Sequence, residues 1–130
     1  MALIEFQNNT APYLNAENLN NNFNYLDGKL DNYVDLGYAN NEQKTITLNN
    51  DSLSNYKFLC VVSGYGYYKC STTIPIALFK NFSDSYNQCM QYVKTYNSNG
   101  YTSINYISDT SFKINSQIGT DVITTVYGIK

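Results

Sequence analysis

The chain has 130 residues, which sets the expectation of one domain or one domain plus an extension, and a formal net charge of −2 from 8 Lys+Arg and 10 Asp+Glu. Every cation is lysine, and there is neither histidine nor arginine; that excludes Ser-His-Asp and Cys-His catalysis, the commonest transition-metal ligand, and the bidentate clamp for phosphates and guanine edges. An acidic, arginine-free chain is also a poor nucleic-acid binder, because affinity there rests on neutralising phosphates.

In chain order, Met1–Phe6 lacks the basic and long apolar regions of a signal peptide, so the chain is expected to fold in a reducing cytoplasm. Apolar runs such as Phe58–Val62 are far too short to span a bilayer, and no membrane insertion is expected. Leu3–Gln7 alternates like a short strand, Asn8–Pro12 is a turn cluster, and Asn15 with Glu17 reads as a helix start. Leu19, Phe23, Leu26, Leu30 and Tyr33 then follow at spacings of 4, 3, 4 and 3, the seam of a coiled coil. Asn18, Asn20, Asn21, Asn22, Asn24, Asn32 and Gly28 cost such a helix about 5 kcal/mol together. Burial of five large side chains returns about 8–15 kcal/mol. Packing therefore wins only if something covers the stripe, either the chain's own domain or, as the spacing favours, further copies of the chain.

From Lys44 onward the signals are nearly all β. Thr45–Leu48 alternates, and Tyr56–Val62 reads as a strand buried on both faces or nearly so. Gly64–Gly66 marks a turn, with Tyr67–Cys70 leading out of it. Thr73–Phe79 is strand-like, but Pro75 confines it to an edge or a strand end. Gln88–Tyr96, Tyr101–Ser108, Ser111–Ser116 and Asp121–Ile129 complete the series, separated by turns at Asn97–Gly100 and Ser108–Thr110. The expected fold is mainly β with an N-terminal helix: a short coiled-coil stalk followed by a β-sandwich or small β-barrel knob. The corresponding segments are residues 1–18, a helical stalk and linker over 19–44, and a β-rich knob over 45–130.

The side chains that carry chemistry are few. Cys60, Cys70 and Cys89 are an odd number at spacings unlike a zinc motif, and are expected as free thiols, with a Cys60–Cys70 bridge across a hairpin as the alternative. No calcium-loop pattern occurs, and no cofactor or metal is expected. Acid–base catalysis would rest on Asp51, Asp84, Asp109 or Asp121, and Asp109 and Asp121 sit in turn contexts that favour Asp for backbone reasons. The chain is therefore expected not to be an enzyme. Tyr65, Tyr67 and Tyr68 stand on a Gly-shaped loop, where exposed Tyr stacks on sugar rings; the competing reading is that Tyr65 and Tyr67 pack against a neighbour on one strand face.

The segment Phe6–Asn20, and within it Pro12, Leu14, Asn15, Ala16, Asn18, Leu19 and Asn20, resembles the start of many bacteriophage virion appendage proteins. The ending Val126–Ile129, following the Ser108–Thr110 turn, resembles the last strand of β-rich fibre tips. The resemblance implies a tail, neck or head fibre, usually trimeric. Its N-terminus would dock on another virion protein through Phe6, Pro12, Tyr13 and Leu14, and its knob would face a host-surface glycan. The expected location is the virion. A free carbohydrate-binding β-module without an assembly role is the alternative.

Overall fold

The computed structural model describes residues 16–30, 32–94, 99–118 and 121–130. They fall into two compact units, Met1–Asn32 and Tyr33–Lys130.

Within the first unit, α1 spans Ala16–Leu30, with Glu17 in its first turn where a carboxylate suits the positive end of the helix dipole. Its 15 residues extend about 22 Å and hold about two heptads, whereas a coiled coil needs three to four. The stripe breaks off because Tyr33, its last expected member, opens a β-strand. The coiled-coil stalk is therefore corrected, and the self-association read from its spacing loses that support.

In the second unit, β1 (Tyr33–Asn40), β3 (Phe58–Tyr65), β4 (Tyr68–Pro75) and β8 (Ile123–Ile129) form one antiparallel sheet in the order β1-β8-β3-β4. β2 (Gln43–Thr47), β5 (Cys89–Lys94), β6 (Asn99–Ser108) and β7 (Ser111–Asn115) form the second, in the order β2-β7-β6-β5. Both sheets are open, which corrects the expectation of a β-sandwich or small barrel knob on a stalk. Among the described residues there are two short helices, one in each unit, and the second unit holds two unclosed four-stranded sheets.

Strand alternation places the core. Leu59, Val61 and Val126 from the first sheet, and Ile46, Ile104, Phe112 and Ile114 from the second, are buried in one cluster. Two connections add to it. Ser52 caps a short 3-10 turn, Leu53–Asn55, that drives Leu53 inward, and the single helical turn α2 (Ile76–Phe79) drives Phe79 inward. Pro75 closes β4 and leads into α2, because its fixed φ and missing N–H suit a helix start. Gly128 is needed for close approach: a Cβ there would lie 2.6 Å from the ring of Tyr56.

Hydroxyls cross this core in a chain whose direction follows from proton counting. Ser116 Oγ donates to the carbonyl of Val122 at 2.7 Å, so it accepts from Thr124 at 3.0 Å. Thr124 then accepts from Ser63 at 2.8 Å, and Ser63 accepts from both Thr102, at 2.8 Å, and Gln91 Nε2. Gln91 Oε1 takes the hydroxyl proton of Thr72 at 2.8 Å. Both sheets are tied by this chain, and among the described residues no buried side-chain nitrogen or oxygen lacks a partner.

Candidate functional site

β4 and β5 are the edge strands of their respective sheets, and they lie side by side. Side chains bridge the gap between them. Cys70 Sγ donates to the carbonyl of Tyr92 at 3.2 Å, and Thr72 meets Gln91 one step further along. Beyond this clasp the edges part into an open cleft of about 270 Å³, lined by Tyr68, Lys69 and Cys70 on β4 and by Tyr92, Val93 and Lys94 on β5. Ligand sites run from roughly 300 Å³ upward, so this cleft suits a small group such as one or two sugar rings.

Each wall has a local cause. The β3–β4 hairpin closes on the pair Tyr65–Tyr68 through Gly66 and Tyr67, and Gly66 takes φ +56, a left-handed value that favours glycine. The hairpin leaves Tyr67 fully exposed, Tyr68 more than half exposed and Tyr65 at its margin. On β5, Met90, Tyr92 and Lys94 share one face by period-two alternation. The ring of Tyr92 is braced edge-to-face by its cross-strand partner Tyr101, centroids 5.6 Å apart. Burial pushes the Cys70 thiol above its ordinary pKa, so the sulfur keeps its proton and serves as a hydrogen-bond donor at neutral pH.

The carboxylates that chemistry would need are engaged elsewhere. Asp51 accepts from Tyr56, Asn55 and the Ser52 N–H; the two side-chain bonds lead in holding it below the usual carboxylate range. Asp109 accepts from Tyr106 at 2.7 Å and from Lys80 at 3.1 Å, with the same effect. Asp84 is held low by Asn87 and by backbone N–H groups of its own turn, and Asp121 occupies a turn at φ +60. Among the described residues no three His, Cys, Asp or Glu are grouped to hold a metal ion. The three cysteines are free, and Cys60 and Cys70 point to opposite faces of their sheet, Cys60 opposite Thr73 and Cys70 opposite Ser63.

Of the residues singled out in the sequence, Tyr68 lines the cleft and Tyr65 and Tyr67 stand at the tip of its hairpin. Phe6, Pro12, Tyr13 and Leu14 lie outside the described residues, as do the side chains of Leu26 and Leu30. On α1, Leu19 is half-buried and Phe23 exposed, while Tyr33 sits in β1 with its ring edge-on to Tyr127 at 5.9 Å. Lys69, Tyr92, Lys94 and Tyr101 were not anticipated. Alternation within Gln88–Tyr96 puts Tyr92 and Lys94 on one face, but nothing local brings that face to the β3–β4 hairpin.

No helix among the described residues is long and apolar enough to cross a membrane. Comparison with family models, with curated proteins and with solved structures finds no match to this chain.

Proposed function

We propose that this chain is a structural contact protein of a bacteriophage particle, attached by its N-terminal segment and using the β4–β5 cleft to touch saccharide on the host surface. The observation that carries the reading is the pair of tyrosines, Tyr68 and Tyr92, held on two rigid strand edges over a cleft of sugar size. Tyr is stiff, amphipathic and loses little entropy on binding, so it stacks on a pyranose face and still offers a hydroxyl. One such site is weak, on the order of millimolar, and many copies on one particle multiply it into useful avidity. The assembly part rests on the resemblance of Phe6–Asn20 to virion appendage proteins.

The alternative, a free carbohydrate-binding module, is favoured by one observation: the cleft lies wholly within Tyr33–Lys130. Two measurements test the proposal. A panel of neutral and acidic oligosaccharides is titrated against the native chain and its Tyr68→Ser and Tyr92→Ser variants. A chain lacking residues 1–18 is assayed for incorporation into particles. Binding that disappears in both tyrosine variants supports the contact role, normal incorporation of the truncated chain would refute attachment through the N-terminal segment, and absence of the native chain from particles would leave the free module.

A further inference from the structure

The cleft has a charge that the chain as a whole does not share. Between Asp51 and Asp109 the sequence holds one carboxylate, Asp84, against four lysines, Lys57, Lys69, Lys80 and Lys94. β3, β4, β5 and β6 therefore contain no acid. Asp84 lies beyond the opposite end of β5 from Lys94, and the strand from Cys89 to Lys94 alone covers roughly 17 Å. Its carboxylate is occupied by the N–H groups of Tyr86 and Asn87 and by Asn87 Nδ2. Lys80 is taken by Asp109 at 3.1 Å. Among the described residues Lys69 and Lys94 belong to no such pair: both are exposed, and both line the cleft beside Tyr68 and Tyr92. In a chain of formal charge −2 the lining of the cleft holds two lysines and no carboxylate.

We infer that the ligand of the cleft is an anionic saccharide, its ring faces against Tyr68 and Tyr92 and its carboxylate or phosphate groups against Lys69 and Lys94. This rests on the saccharide reading above and adds its charge class. Lysine is a point charge on a flexible stem and serves either anion without the fixed fork of arginine. Exposed pairs of this kind contribute little each and are screened by salt, so the lysines supply selectivity and the tyrosines supply most of the contact.

The test titrates the full chain with an oligogalacturonate and with its fully methyl-esterified counterpart, which keeps the same rings and removes the charge. The acid form is expected to bind roughly fivefold to tenfold tighter at low ionic strength, with the difference shrinking toward about 0.15 M salt. Lys69→Gln combined with Lys94→Gln is expected to abolish the difference, so that acid and ester forms bind that variant with equal affinity. A glycerol-phosphate oligomer separates the sources: competition with the uronate assigns phosphate as well, and its failure restricts the anion to carboxylate. Equal affinity of the native chain for acid and ester overturns the inference while the saccharide reading stands. Absence of binding by either oligomer overturns both.

Discussion

The phenol of Tyr56 donates its proton to Oδ2 of Asp51, five residues earlier, while the ring of the same tyrosine covers the backbone of β8 at Gly128. Burial first, and the Asp51 carboxylate second, push the Tyr56 hydroxyl up to about 12. A raised pKa contributes stability that is complete below the unfolded value near 10 and is lost as pH rises through the folded one. Alkaline unfolding is therefore expected to sharpen between about pH 10 and 12, and Tyr56→Phe should remove that component. The depressed Asp51 acts at the other end: its contribution is present above the unfolded carboxylate value near 4 and fades as pH falls through the lower folded one. Denaturant midpoints across both windows, for native and Tyr56→Phe chains, check both signs.

Gly128→Ala sets a methyl group where the Tyr56 ring already lies, 2.6 Å from its nearest carbon. The ring or the strand must move, at an expected cost of about 1–3 kcal/mol. If the clash is the cause, Tyr56→Ala combined with Gly128→Ala loses less than the sum of the two single changes. A double-mutant cycle in urea measures the difference.

Ser63→Ala removes the acceptor shared by Thr102 and Gln91 together with the proton given to Thr124. Three buried or half-buried groups lose a partner at once, for about 2–3 kcal/mol. Ser71→Ala, on the exposed outer face of β4, is the control and should lie within about 0.5 kcal/mol of native.

At the cleft, Tyr92→Ser should abolish oligosaccharide binding and cost about 1 kcal/mol through the lost edge-to-face contact with Tyr101. Tyr67→Ser changes an exposed side chain that does not line the cleft, so stability is unaltered and binding weakens less than in Tyr68→Ser. Calorimetric titration alongside thermal melts separates the two effects.

Alternation and turn residues made most of the β elements legible, from the strand at Thr45 to the one ending at Ile129. β1 was not, for two reasons. Tyr33 completes the heptad spacing begun at Leu19, so the strand's first residue reads as the helix's last. A bulge between Asp35 and Gly37 then breaks the period: Val34 and Leu36 face inward, but the next inward residue is Ala39 rather than residue 38. Ile76–Phe79 reads as strand because it continues the apolar run begun at Thr73, yet Pro75 starts a helical turn there that Ala77 and Leu78 suit. At the cleft, Tyr68 was visible from its glycine-flanked loop. Tyr92 lies 24 positions later (92 − 68), and only the adjacency of two sheet edges joins them.

The directed hydroxyl chain has a consequence for how the strands find one another. Sliding β8 by two residues along β3 keeps every side chain on its own face, so hydrophobic alternation is blind to the error. The slip would set Val122 or Val126 opposite Ser63 in place of Thr124, leaving Ser63 and Ser116 each short of a partner in a dry interior. A handful of hydroxyls thus discriminates between alignments that greasy contacts leave degenerate, and the two edges that frame the cleft inherit their alignment from that choice.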